Sequence, residues 1–294
     1  MTRPGQGATA TVLQSFPSIA SALAALPGAR LLDTRDEAAF AQGHAAGAGR
    51  VTLAEFGPRR AELPAREAPV LVVDDAPGRA RAAAEALAAL GYAHVGWLER
   101  SLAAEPAGHV SSAPAARLWS PSAFIEREAK RVRGLRGPSE PGRALDLACG
   151  SGRAAVFLAL AGWSAEGWDA DESALERARA LAARCGAGAR FVRVDLEGAL
   201  PPEPHEPFDL VVVVRYLHRP LFAWIERALA PGGHLLYETF RQGQEEFGPP
   251  RRERHLLRSG ELLTAFPSLI VEHHEETPDG EPPLLARLAA RKPG

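Results

Sequence analysis

Two rhythms of apolar residues alternate along the chain: short continuous runs, and longer stretches with helical spacing. In the N-terminal part, Leu31-Leu32, Val70 to Val73 and Tyr92 to Leu98 read as strands. Between them, Asp36 to Ala41 reads as a helical turn, and Arg79 to Leu90 as an alanine-rich helix stopped by Gly91. That order predicts a small parallel sheet with helices on its faces.

The C-terminal part repeats the pattern more sharply. Ala144 to Leu147 is a strand ending in a glycine-rich turn, with a helix from about Arg153 to Ala161 and Gly162 as its cap. A second strand ends at Asp169, Glu172 to Arg184 is a helix, and Phe191 to Val194 is a third strand ending at Asp195. Phe208 to Val214 is almost wholly apolar, as in a strand buried on both faces of a parallel sheet. Pro220 to Ala230 reads as a helix, Pro231-Gly232-Gly233 as a turn, and His234 to Phe240 as a fifth strand. The runs Leu269 to Glu275 and Leu284 to Arg291 flank Thr277-Pro278-Asp279-Gly280, which predicts a terminal antiparallel hairpin. Between the two parts, Ser101 to Ser120 is rich in Ala, Pro and Ser and has no sustained period. The expected organisation is therefore α/β throughout: a first domain over 1–104, a linker over 105–118 and a second domain over 119–294.

Composition narrows the class. Of 294 residues, 46% are apolar and 24% charged, the mixture of a globular protein, and the net charge of −2 suggests no long polyanionic partner. Two cysteines, Cys149 and Cys185, exclude a disulfide scaffold and leave a thiolate zinc site without ligands, so no metal is expected. No apolar stretch has signal-peptide or membrane-spanning character, and a cytoplasmic protein is expected.

Candidate chemistry gathers at the turn after the first C-terminal strand. Glycines allow close backbone approach, and a helix N-terminus offers free N–H groups. Gly150 and Gly152 alone would mean little, but Asp169 follows Gly150 by 169 − 150 = 19 residues, the spacing at which doubly wound domains place a ribose acceptor. Asp146, Asp169 and Asp195 end successive strands and converge on one crevice.

The strings ALDLACGSGR, GWDAD, RFVRVDLEG and FDLVVVVRYLH, in that order, resemble the motifs of class I S-adenosylmethionine (SAM)-dependent methyltransferases. They are most similar to the small-molecule branch that includes tellurite-resistance and thiopurine-type enzymes. The resemblance spans about Gly142 to Lys292 and implies a Rossmann-like seven-stranded sheet with one antiparallel strand. It also implies that Asp146, Ala148, Cys149, Gly150 and Gly152 surround the methionine part of SAM, that Asp169 takes the ribose hydroxyls, and that Asp195 with the Leu196 backbone faces the adenine. A nicotinamide dinucleotide fits less well: Ala155 stands where a third glycine belongs, and Asp146 repels a pyrophosphate but suits the cationic groups of SAM.

The methyl acceptor is expected at the ends of the fourth and fifth strands. Arg215-Tyr216-Leu217-His218-Arg219-Pro220 lacks the Asn/Asp-Pro-Pro-aromatic motif of amide and adenine N-methyltransferases. His218 is the candidate general base, with a junction-capping histidine as the plainer reading. Arg215 and Arg219 are candidates to grip an anionic acceptor or the SAM carboxylate, and Tyr216 to pack under the cofactor. The aperiodic segment QGQEEFGPPRRERHLL reads as a lid or binding loop, with Phe247 and Pro249-Pro250 over the acceptor. Its Arg251, Arg252 and Arg254, with Arg258 just beyond, read as a solvated face more than as a nucleic-acid site.

The N-terminal strings LLDTRDEAAFAQGHAAGA and VLVVDDAPGRARAAAEALAALGY resemble a rhodanese domain, through Asp33, Arg35, Phe40, Gly43, His44, Gly47 and Ala48. Active rhodaneses present a persulfide-forming cysteine after the second strand; here Asp74-Asp75 stands there, and no cysteine precedes Cys149. A carboxylate cannot carry sulfane sulfur, so this domain reads as a catalytically silent unit that docks a protein partner or the methyltransferase domain. The expected function is methyl transfer from SAM to a small-molecule acceptor, with a thiol or other chalcogen nucleophile preferred. The alternatives are a non-catalytic two-domain scaffold, or a methyltransferase acting on RNA or protein.

Overall fold

The computed structural model describes residues 11–135 and 141–294, which divide into two compact units at the Ser120–Pro121 junction. In the first unit the elements run β1 (Val12–Phe16), α1 (Ile19–Ala25), β2 (Arg30–Asp33), α2 (Glu37–Ala41), β3 (His44–Ala45), β4 (Ala48–Arg50), β5 (Val70–Val73), α3 (Pro77–Ala89), β6 (His94–Leu98) and β7 (Val110–Ser111). Five strands form a parallel sheet in the order β1-β6-β5-β2-β4. Its central strand β5 is Val-Leu-Val-Val and fully buried, as a strand covered on both faces requires.

Sequence periodicity passes over β1 and α1. β1 is an edge strand with mostly exposed side chains, and α1 is a short alanine-rich helix fixed by a reciprocal Ser18–Ser21 capping box. The stretch that reads as a linker over 105–118 belongs physically to this unit. β7 pairs antiparallel with β3, the Ala116 N–H donates to the Ala48 carbonyl at 2.9 Å, and Leu118 is buried beside Leu32 and Leu63.

The second unit runs α4 (Ala123–Leu135), β8 (Arg143–Leu147), α5 (Arg153–Leu160), β9 (Ser164–Asp169), α6 (Glu172–Arg184), β10 (Arg190–Arg193), β11 (Phe208–Val214), α7 (Phe222–Ala228), β12 (Leu229–Phe240), α8 (Glu261–Ala265), β13 (Ile270–Glu276) and β14 (Leu285–Arg291). Its seven-stranded sheet has the order β10-β9-β8-β11-β12-β14-β13, with β14 alone antiparallel to its neighbours. The order reverses between β8 and β11, so the carboxyl ends of these two strands frame a crevice. α4, which the sequence reading leaves unassigned, turns Phe124, Ile125, Ala129 and Val132 inward. No helix of the described residues is long and apolar enough to cross a membrane.

Candidate functional site

Past Leu147 the chain turns through three residues with left-handed backbone: Ala148 (φ 55°), Gly150 (φ 52°) and Gly152 (φ 77°). For Ala148 that conformation costs about 1–2 kcal/mol. Backbone bonds hold it in place: the Cys149 N–H donates to the Trp168 carbonyl and the Gly152 N–H to the Cys149 carbonyl, both at 2.9 Å. The two glycines do different work. A Cβ on Gly152 would lie 2.7 Å from the Ala178 Cβ and 2.9 Å from the Phe191 ring, so Gly152 lets α6 and β10 close against the turn. A Cβ on Gly150 would meet nothing within 4 Å, so its backbone faces open space where a ligand can lie against it.

Three acids border that space. Asp146, 2% exposed, accepts the Ala155 N–H at 3.0 Å at the start of α5. Burial, with the nearby Asp169 charge adding to it, pushes its carboxyl up to about 7. Asp169 ties the turn to its own strand end: one carboxylate oxygen accepts the Gly150 N–H at 2.8 Å and the other the Asp171 N–H at 2.9 Å. Asp195 is exposed, and its Oδ1 accepts the N–H groups of Glu197 and Gly198 at 3.0 and 3.2 Å. The Leu196 side chain is buried in the core, which leaves its backbone for the crevice. Cys149 is a neutral thiol: burial first, then Asp146 and Asp169, push it far above the ordinary thiol range, so it is no nucleophile.

Across the crevice lies the chain that follows β11. Arg215 is exposed with φ 55°, its N–H donates to the Glu238 carbonyl at 2.7 Å, and its guanidinium sits 5.8 Å from the Phe240 ring centre. The Tyr216 hydroxyl is buried without a hydrogen-bond partner among the described residues. Burial, then Glu197, Asp195 and Asp169, push its phenol up to about 12, so it stays protonated. An unpaired buried donor of this kind is an opening for a ligand acceptor atom.

His218 occupies the N-cap position of a 3₁₀ turn over Arg219–Leu221 but makes no side-chain cap bond, which removes the capping role. It lines an open groove of about 290 Å³ together with Glu197, Leu217, Arg219, Pro220, Arg254 and His255. Arg219, a candidate anion ligand in the sequence, is committed elsewhere. It forms a two-point ion pair with Glu261 (2.6 and 2.9 Å) and donates to the carbonyls of Arg254 (3.1 Å) and Leu256 (3.0 Å). Those bonds pin the lid-like segment, as do the Gln242 N–H on the Leu257 carbonyl (2.8 Å) and Gln244 Oε1 on the Leu284 N–H (2.8 Å). The segment is therefore a fixed wall, and Phe247 is 44% exposed. Glu197 and His255 are groove residues the sequence reading did not single out. Glu197 had a signal two residues past Asp195, whereas His255 had none.

In the N-terminal unit, the Arg35 guanidinium clamps the buried Asp33 carboxylate (2.7 Å at the closest) and reaches the Gly43 carbonyl at 2.7 Å and Asp75 at 3.3 Å. Where an anion cradle would open after β5, the Asp74 carboxylate itself accepts from Thr34 Oγ1 (2.8 Å), the Ala76 N–H (2.9 Å) and Arg79 (2.6 Å). Burial opposes its charge, but these donors outweigh it and hold the carboxyl below its ordinary range.

A family model described as "Methyltransferase domain" matches residues 144–233, and one described as "Rhodanese-like domain" matches residues 17–104. The chain pairs a rhodanese-like domain with a methyltransferase domain. The chain is 42% identical over 96 residues to the ribosomal protein L11 methyltransferase of Thermus thermophilus, covering 32% of this chain and 37% of that one. It is 32% identical over 136 residues to the trans-aconitate 2-methyltransferase of Streptomyces coelicolor, covering 41% and 45%. The chain thus spans less than half the length of the curated relatives it matches. Among solved structures, a SAM-dependent methyltransferase from Mesorhizobium loti aligns with 23% identity and TM-score 0.45, over 57% of this chain and 100% of that one. The crevice offers a buried carboxylate, an open glycine backbone and an unpaired phenol.

Proposed function

We infer that this chain is a SAM-dependent methyltransferase whose acceptor is a small molecule. The observation that carries the reading is the turn from Asp146 to Gly152, with a buried acid before it and a glycine backbone open to the crevice. Bound SAM supplies a methyl group on a cationic sulfonium. Asp146 provides the negative field for that cation, and the backbone of Ala148, Cys149, Gly150 and Gly152 lies along the methionine part. Asp169 accepts from the ribose hydroxyls, while Asp195 and the Leu196 backbone border the adenine. Tyr216 donates its unpaired hydroxyl toward the donor side, and Arg215 flanks the crevice mouth.

The acceptor lies in the groove that His218 lines, and methyl transfer then depends mainly on alignment and exclusion of water. His218 takes the acceptor's proton where the nucleophile is a hydroxyl or amine. A thiol or other chalcogen, which we favour, ionises near neutrality and needs little help. The rhodanese-like domain serves as a catalytically silent docking unit, since Asp74 and Asp75 stand where a sulfur carrier would be.

Labelled SAM incubated with a panel of thiols, phenols and amines tests the reading, alongside calorimetry with S-adenosylhomocysteine (SAH). Saturable SAH binding with label transfer to a thiol supports it; absence of SAH binding at millimolar concentration overturns it. His218→Ala should leave the rate on a thiol nearly unchanged and lower that on a phenol about 100-fold.

A further inference from the structure

Arginines of the methyltransferase domain are mostly neutralised at short range. Arg131 pairs with Glu128 and Glu272, Arg190 with Glu166, Arg227 with Glu203 and Arg287 with Glu238. Arg193 and Arg215 form no such pair, and a further group of arginines without one lies close together in the chain. Among the described residues no carboxylate forms an ion pair with Arg251, Arg252 or Arg254, and all three belong to the segment that walls the groove beside His218.

Arg254 differs from its neighbours in being held. Its carbonyl accepts from Arg219, and its Nε–H donates to His255 Nε2 at 3.1 Å. With the backbone and Nε fixed, the two Nη groups are the free donors of a guanidinium in preset orientation, the geometry that binds a planar oxyanion at two points. With Nε2 as the acceptor, the other ring nitrogen of His255, Nδ1, is the one able to donate. Arg254 also borders a second cavity of about 320 Å³ with Arg219, Gln242, Glu253, Leu256 and Arg258. There Glu261 is engaged by both Arg219 and Arg258, which leaves Arg254 facing Glu253 without an ion pair of its own. The acid lining the groove itself, Glu197, follows β10, whereas Arg254 follows β12; β9, β8 and β11 lie between those strands in the sheet. Glu197 and Arg254 thus reach the groove from different strand ends, with apolar Leu217 and Pro220 among its walls.

We propose that the methyl acceptor is a small carboxylate-bearing molecule, its carboxylate held by Arg254 and its nucleophile directed toward His218 and the donor. This rests on the methyltransferase reading for the term acceptor; the anion site stands on its own geometry. The experiment is calorimetric titration of the full chain with succinate and, separately, its neutral analogue succinamide, each with and without SAH. Succinate should bind, Arg254→Gln should weaken it by about tenfold or more, and Arg81→Gln, an exposed arginine of the other unit, should leave it unchanged. Succinamide should not bind. Circular dichroism checks that Arg254→Gln is folded. An undetectable succinate isotherm, equal binding of succinamide, or an Arg254→Gln isotherm matching the parent overturns the proposal. Failure of SAH to bind while succinate does would overturn the methyltransferase reading and leave the anion site in place.

Discussion

The Asp169 carboxylate accepts the Gly150 N–H at 2.8 Å, joining the end of β9 to the turn that follows β8. The acid expected to meet the ribose is therefore also a clasp on the glycine turn. Asp169→Ala should weaken SAH binding by about 100-fold or more, because it removes both a ligand contact and the turn's anchor. Asp169→Asn, which keeps an acceptor oxygen for Gly150, should retain most of the folding stability that Asp169→Ala loses, on the order of 1–3 kcal/mol. Calorimetry and urea unfolding of the two variants separate the contributions.

Asp146 makes stability and binding depend on pH. Its folded carboxyl titrates at about 7, above the ordinary aspartate value, so the folded state holds this proton more tightly than the unfolded one. Its contribution is most favourable below the ordinary aspartate value and is lost as pH rises to about 7. Asp146→Asn should therefore raise unfolding free energy at pH 8 and change it little at pH 4. The same residue predicts that SAM binding near pH 7 releases a proton as the cation stabilises the carboxylate. Binding enthalpies in buffers of different ionisation heat should reveal that release, and Asp146→Asn should abolish it.

The two glycines of the turn should fail in different ways. Gly152→Ala forces a Cβ to 2.7 Å from Ala178 at φ 77° and should destabilise the fold by about 2–4 kcal/mol. Gly150→Ala meets no protein atom, so its stability cost is the backbone strain of about 1–2 kcal/mol, and its main effect is a larger loss of SAH affinity. Denaturant unfolding beside cofactor titration for each variant is the check.

Arg219 and Glu261 hold the groove wall. Both are partly exposed, so the pair itself is worth about 1 kcal/mol or less to global stability. Its local effect should be larger: Arg219→Ala should increase hydrogen exchange at the Gln242 and Leu257 amides and raise the acceptor KM more than it lowers kcat. Unchanged exchange at both amides would show that the wall does not depend on this pair.

The rhodanese-like domain should show no thiosulfate–cyanide turnover. The buried Asp33–Arg35 pair should nevertheless be important to its fold, with Asp33→Ala costing about 3 kcal/mol by leaving the buried guanidinium only the partly exposed Asp75 and the Gly43 carbonyl. Thermal unfolding of the full chain reads the second effect.

The donor side of the crevice was legible in the sequence because its information is local. Apolar runs such as Phe208–Val214 mark buried parallel strands, and Asp146, Asp169 and Asp195 mark their ends. Elements with weak periodicity were not legible: β1 is an exposed edge strand, β3, β4 and β7 have two or three residues, and alanine blurs the inward stripe of α1. The groove was hidden for another reason. Arg254 and His255 come beside His218 because Arg219 binds Glu261 across 42 positions, a relation no spacing rule encodes. The same pairing withdrew Arg219 from the ligands the sequence offered.

That long-range staple also separates two kinds of change. The residues proposed to bind the donor sit at the ends of the neighbouring strands β8, β9 and β10, so a substitution there is expected to put the whole activity at risk. The wall from Arg241 to Arg258 is a discrete panel, fastened by Arg219, Glu261, Gln244 and the Gln242–Leu257 backbone bond. On the proposed reading, a panel of different length or charge, spliced between those fasteners, should change which molecules enter without disturbing the methyl donor. Acceptor choice is in this sense a replaceable part.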